Sequence, residues 1–149
     1  MTHSEKFSEF IIQRKYSKMK IDHIAIAVNN VEEAAKQYQQ AFGVKEVIYE
    51  TVESEGVKLA ILRLENGRIE LMQPIRDDSP IKKFLEKKGE GLHHIALATD
   101  NIEKEYERME GCGIQFLGKI RSGSEGTKIT FIHPKSLHGV LAELCSHPK

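Results

Sequence analysis

Ile21-Asp22-His23-Ile24-Ala25-Ile26-Ala27-Val28 and Leu92-His93-His94-Ile95-Ala96-Leu97-Ala98-Thr99 read as two copies of one β-strand, with the second histidine 71 residues after the first. Near the end of each half an acid sits between apolar residues: Glu70 in Ile69-Glu70-Leu71, and Glu143 in Ala142-Glu143-Leu144, 73 residues later. The chain is therefore an internal repeat with one imidazole and one carboxylate per copy. Side chains alternate across a strand, so His23, Ala25 and Ala27 share one face while Ile24, Ile26 and Val28 share the other. His94, Ala96 and Ala98 do the same against Ile95, Leu97 and Thr99. The larger apolar face suits packing on a helix. The face that joins a histidine to two alanines leaves volume for a ligand.

Working outward, each copy reads βαβββ. In the first, Ile21–Val28 is followed by a capping box at Asn30-Val31-Glu32-Glu33 and a helix that Gly43 ends. Three strands follow, Val44–Glu50, Val57–Leu64 and Arg68–Gln73, with Asn66-Gly67 as the hairpin turn between the last two. In the second, Leu92–Ala98 leads to a box at Asp100-Asn101-Ile102-Glu103, a helix over Ile102, Tyr106 and Met109, and strands Ile114–Ile120, Lys128–His133 and Gly139–Leu144. A helix over about residues 79–89, capped by Ser79 with Pro80 behind it, links the modules. The modules span about 20–75 and 91–147 within one domain of residues 20–149. Residues 1–19 are an extension whose only apolar cluster is Phe7, Phe10, Ile11 and Ile12. The segment Ser122-Gly123-Ser124-Glu125-Gly126 has the composition of a mobile turn.

Composition narrows the function. Of 149 residues 40% are hydrophobic and 30% charged, ordinary values for one globular domain. Lys+Arg and Asp+Glu both number 22, so nothing in the balance attracts a nucleic-acid backbone. No apolar run reaches the length of a membrane span. Cys112 and Cys145 form no Cys-x-x-Cys pair, and with no secretory segment they point to a cytoplasmic protein.

The glutamates carry the sharper chemistry. A carboxylate inside an apolar strand without a partner costs several kcal/mol or takes up a proton. A divalent metal supplies the partner: His23, Glu70, His94 and Glu143, facing one another across a pseudo-twofold axis, would hold one M²⁺ and neutralise it. An all-nitrogen-and-oxygen set suits Co²⁺, Zn²⁺, Ni²⁺, Mn²⁺ or Fe²⁺ and disfavours Cu⁺. His93 falls on the opposite face from His94 and reads as structural or as support for it. His3, His138 and His147 read as solvated, and His133 as a turn cap or a residue of the pocket rim.

Paired βαβββ modules with these four residues on equivalent strands resemble the vicinal oxygen chelate, or glyoxalase/bleomycin-resistance, superfamily over about residues 20–147. Asp78-Ser79-Pro80-Ile81, Gly91-Leu92-His93-His94-Ile95-Ala96, and above all His133-Pro134-Lys135-Ser136 with Gly139-Val140-Leu141-Ala142-Glu143-Leu144 are similar to the methylmalonyl-CoA epimerases. The resemblance implies an α+β fold in which two tandem modules form a curved eight-stranded cup with helices outside. It also implies the four metal ligands, Co²⁺ foremost with Zn²⁺, Ni²⁺ or Mn²⁺ as alternatives, an acyl-CoA substrate and a homodimer.

Epimerisation needs a base on each side of the α-carbon. Glu143 is the candidate for one and Glu70 for the other; Lys135, Ser136 and Arg121 are candidates for contacts to CoA. Some members carry a glutamate, proposed as a base, three residues past a glycine in the second strand. Counting from Gly56 that place holds Leu59, with Glu53 and Glu55 close by. The same fold leaves three rival readings: glyoxalase I, a small-molecule or antibiotic binding protein without chemistry, and an Fe²⁺ dioxygenase.

Overall fold

The structure, a computed structural model, describes residues 15–149. The Phe7–Ile12 cluster and His3 lie outside the described residues. The chain runs β1 (Lys20–Ala27), α1 (Val31–Phe42), β2 (Ile48–Val52), β3 (Val57–Leu64), β4 (Gly67–Pro74), α2 (Pro80–Lys88), β5 (Gly91–Ala98), α3 (Ile102–Gly111), β6 (Arg121–Ser122), β7 (Lys128–Ile132) and β8 (Ala142–Ser146). The strands form one curved mixed sheet in the order β2-β3-β4-β1-β5-β8-β7-β6. β1 pairs with β4 in parallel, and β5 with β8 in parallel; β1 and β5 meet antiparallel at the centre. That seam is where one module becomes the other. Its register is reciprocal, His23 opposite Ala96 and Ala25 opposite His94. Ala25 is also opposite Glu70, and Ala96 opposite Glu143. Both modules of one chain thus bring their histidine and glutamate to the same seam.

The faces divide as alternation requires. Ile24 and Ile26 pack with Ile69, Leu71, Val31 and Ala35 beneath α1, and Ile95, Ala142 and Leu144 with Ile102 and Met109 beneath α3. Removing the fully buried Leu71 side chain would cost about 2–5 kcal/mol. On the other face Ala25, Ala27, Leu59, Ile61 and Met72 meet Ile81 of α2. Helix ends follow local chemistry. Asn30 accepts from the Glu33 amide, Ser79 accepts from the Ile81 amide with Pro80 next, and Gly43 at φ 72° closes α1. No helix among the described residues is long and apolar enough to cross a membrane.

Several local expectations shift, the last strand among them, which runs Ala142–Ser146 in place of Gly139–Leu144. The cap of α3 is Asn101, accepting from Lys104, one residue later than the box at Asp100 places it. The β3–β4 turn is Glu65-Asn66, with Leu64 already paired to Gly67, and neither turn residue has positive φ. Residues 44–47 are irregular, and β2 starts at Ile48. The strand expected over 114–120 is reduced to a bridge between Phe116 and Ile132. Backbone bonds from Leu117 to Phe131 and from His133 to Gln115 flank the bridge, and the Thr130 hydroxyl donates to the Gly118 carbonyl at 2.9 Å. The 122–126 turn is tied down rather than loose. The Glu125 amide donates to the Glu50 carboxylate at 3.0 and 3.1 Å, and its carboxylate binds Arg63 and Arg68.

Candidate metal centre

Two β-bulges shape the site. Ile21 pairs with Leu97 and His23 with Ala96, so Asp22 is an extra residue in β1; Ala25 pairs with His94 and Ile26 with Leu92, so His93 is an extra residue in β5. A bulge interrupts the alternation of faces and re-aims its side chain. Each bulged residue precedes a candidate ligand and meets its Nδ1: Asp22 Oδ2 lies 2.7 Å from His23 Nδ1, and His93 Nδ1 lies 2.8 Å from His94 Nδ1. His93, expected on the opposite face, instead lines the cavity. With Nδ1 engaged, the free edge of each ring is Nε2.

Both Nε2 atoms converge on Glu143, at 3.5 Å from His23 and 3.7 Å from His94. His23, His94 and Glu143 offer ligand atoms all within 4.8 Å of one another, and all three side chains are buried. Glu70 stands at the other edge of His23. Its Oε2 is 3.2 Å from His23 Nδ1 and 3.3 Å from Arg68, within ion-pair reach but without a hydrogen bond. Among the described residues the buried side-chain atoms left with no hydrogen-bond partner are Glu70 Oε2 and His94 Nε2. Such orphans are costly unless something else binds them. His23, His94 and Glu143 are the donor set that the structure brings together, while Glu70 falls outside it and groups with Asp22 and His23; two imidazoles and a carboxylate, with an orphaned nitrogen on His94 and an orphaned oxygen on the adjacent Glu70, fit a divalent cation.

The electrostatics differ across the site. Burial pushes Glu143 up to about 7, against the pull of His23. Burial also raises Glu70, offset by His23 and Arg68. His94 is held well below its ordinary value by burial and the neighbouring His93 and His23. Burial alone would lower His23, but the Asp22 hydrogen bond and the charges of Glu70 and Glu143 raise it. Asp22 itself would be raised by burial, yet hydrogen bonds from His23, His147 and Arg68 hold it well below the usual carboxylate range.

Beside these residues opens a cavity of about 290 Å³, lined by Glu70, His94 and Glu143 at its polar end and by Leu59, Met72 and Phe131 along an apolar wall. Arg121 and Glu55 also line it and are paired at 2.6 Å. Glu53 is exposed. Lys135 and Ser136 do not line this cavity; the Ser136 hydroxyl accepts the Gln115 amide at 3.0 Å. His133 caps the Pro134–Leu137 turn by accepting from the Lys135 amide. Sequence reasoning missed Asp22, Arg68, His147 and the true direction of His93. Arg68 carried a signal, a basic residue two positions before Glu70 and so on its face of β4. His147, expected in solvent, meets Asp22 Oδ1 at 2.5 Å.

Comparison with known proteins matches this geometry. Residues 22–131 match the model of the glyoxalase/bleomycin resistance protein/dioxygenase superfamily. The mitochondrial methylmalonyl-CoA epimerase of Dictyostelium discoideum is 36% identical over 129 residues, covering 84% of this chain and 76% of that protein. The ethylmalonyl-CoA/methylmalonyl-CoA epimerase of Cereibacter sphaeroides is 35% identical over 128 residues, covering 84% and 96%. A variant of Streptomyces coelicolor methylmalonyl-CoA epimerase, in complex with 2-nitronate-propionyl-CoA, superposes with a TM-score of 0.82 at 36% identity, covering 86% of this chain and 94% of that one. The doubled βαβββ sheet, the paired histidines and glutamates at its seam and these likenesses lead to one statement: the chain belongs to the glyoxalase/bleomycin resistance protein/dioxygenase superfamily.

Proposed function

We infer that the protein is a metal-dependent epimerase acting on methylmalonyl-CoA or a thioester like it. The observation that carries this reading is the placement of two buried carboxylates, Glu70 and Glu143, on opposite edges of His23 and facing one cavity. Inverting a carbon beside a thioester means taking a proton from one side and returning one to the other, so two bases are needed across the α-carbon. Glu143 is one. Glu70 is the other, because Leu59, where some relatives carry an acid, is a buried apolar wall here.

His23, His94, Glu70 and Glu143 would hold the ion, for which we favour Co²⁺, with Zn²⁺, Ni²⁺ or Mn²⁺ as alternatives. When bound, the ion supplies Lewis-acid stabilisation of the charge that develops on the thioester oxygen. Asp22 and His93 fix the tautomers of the two histidines. Glu70, drawn toward Arg68 and His23, is the carboxylate we expect to loosen and move a proton. The apolar wall of Leu59, Met72 and Phe131 excludes water from the enolate. Arg121, which lines the cavity paired with Glu55, stays our candidate for an anionic group of the substrate; Lys135 and Ser136 stay as candidates for the outer part of CoA.

We also propose a homodimer, supported by the exposed apolar side chains of Ile21 and Leu92 at the ends of the central strands. A cytoplasmic location rests on the free thiols of Cys112 and Cys145. The test is exchange of the α-proton of methylmalonyl-CoA in deuterated water. Glu143→Gln and Glu70→Gln should each slow it by about 10²-fold or more. Normal exchange in both removes the assignment, and turnover of a glutathione hemithioacetal alone would replace it with a glyoxalase.

A further inference from the structure

A second donor group lies behind the first. Cys145 follows Glu143 by two residues on β8, so its side chain shares the inner face. The thiol is free, and the residue is 1% exposed. The Asp22 carboxylate, the Cys145 sulfur and the His147 imidazole all lie within 4.8 Å of one another. Asp22 reaches this point because it is bulged out of β1, and it works in two directions. Oδ2 holds His23 Nδ1 at 2.7 Å, while Oδ1 meets His147 Nε2 at 2.5 Å. Arg68 also takes Oδ2 and binds Glu125, which leaves Oδ1 without a cationic side chain in hydrogen-bonding contact apart from His147.

A packing role would explain why Cys145 is buried. It would not bring a carboxylate from a bulge and an imidazole from the segment beyond β8 to within 4.8 Å of the sulfur. One sulfur, one nitrogen and one oxygen donor are the mixed set that zinc accepts at about 2.0–2.3 Å. His147 is 40% exposed, so the group has an entry path and room for water as a further ligand. It lies just past the last strand, which ends at Ser146.

We propose that Asp22, Cys145 and His147 form a second cation site that takes Zn²⁺, weaker than the first, and felt at His23 through the shared Asp22 carboxylate. The coupling is direct. A cation on Oδ1 withdraws charge from the carboxylate that orients His23, so a second equivalent of zinc slows the reaction.

Titrating the full-length protein with Co²⁺ tests the site. The first donor set has no sulfur, so a thiolate-to-cobalt charge-transfer band reports only the second. We expect that band to grow with the second equivalent, to vanish in Cys145→Ser and to persist in Cys112→Ser. His147→Ala should weaken the second step by about tenfold or more and shift the first by less than that. No band at saturating Co²⁺, or a band that survives Cys145→Ser, overturns the proposal. In a parallel arm, Zn²⁺ beyond one equivalent should slow α-proton exchange in the wild type and not in His147→Ala; equal slowing in both overturns the coupling. This arm alone rests on the epimerase reading, so failure of that reading leaves the absorption result standing.

Discussion

Strands β1 and β5 each carry a bulge one residue ahead of a candidate ligand histidine, yet the bulged residue is an acid in one and an imidazole in the other. In the first module Asp22 gathers His23, Arg68 and His147 into a charged network. In the second, His93 meets only its neighbour's Nδ1 and the edge of Phe84, in surroundings that push His93 down to about 4. The backbone device is duplicated and the chemistry is not. One ligand is made basic and the other kept neutral, so a symmetric sheet presents an asymmetric centre to a substrate whose two faces must be handled differently.

The largest effect that would break this comparison is at the bulged residues. Asp22→Asn keeps the shape and removes the charge, and should lower metal affinity by about 10–100-fold. His93→Gln, which replaces one neutral partner by another, should lower it by no more than about tenfold. Calorimetric titration of each variant with Co²⁺ checks the order, and equal losses would mean that the two modules differ in name only.

Proton release sharpens the same contrast. In the metal-free protein Glu143, at about 7, is mostly protonated at pH 6, so an entering ion must displace that proton. Affinity should rise about tenfold per pH unit for each proton released, so by about ten- to hundredfold per unit well below 7. His94, held neutral, contributes no proton, whereas the raised His23 adds its own. Titration at pH 6 in buffers of different ionisation heat should count one to two protons per ion; none would sink the assignment. The sign for folding is opposite. Because its folded value is raised, the Glu143 contribution to stability is fullest below its ordinary 4.5 and is lost as pH climbs through 7.

The smallest effect asks where the modules are alike. Asn30→Ala and Asn101→Ala each remove one N-cap bond and should each cost about 1 kcal/mol in urea unfolding. Unequal costs would show that the two helices do not bear equally on their sheets.

The doubled fold and the candidate donor set were legible because a repeat multiplies weak signals: His23 alone is an ordinary strand residue, but His23 with His94, Glu70 and Glu143 is a pattern. Alternation also assigned the helix-facing isoleucines correctly. It failed at His93, since a bulge made without glycine leaves no mark in composition and reverses the expected face. The strand expected at 114–120 narrows to a bridge whose partners, Ile132 and the Thr130 hydroxyl on Gly118, lie 12 or more residues away, where local propensity does not reach. Glu70 was legible as buried and acidic, but its lean toward Arg68 depends on a side-chain network visible only in three dimensions.

The antiparallel seam between β1 and β5 has one more consequence. It, more than the covalent connection, holds the halves together, while the peptide at Gly89 and Glu90 is exposed. A chain nicked there would yield two fragments, each with one imidazole and one carboxylate and neither able to chelate well alone. Mixed with a divalent ion, the pieces would complement one another, and the ion would act as the glue of a split enzyme.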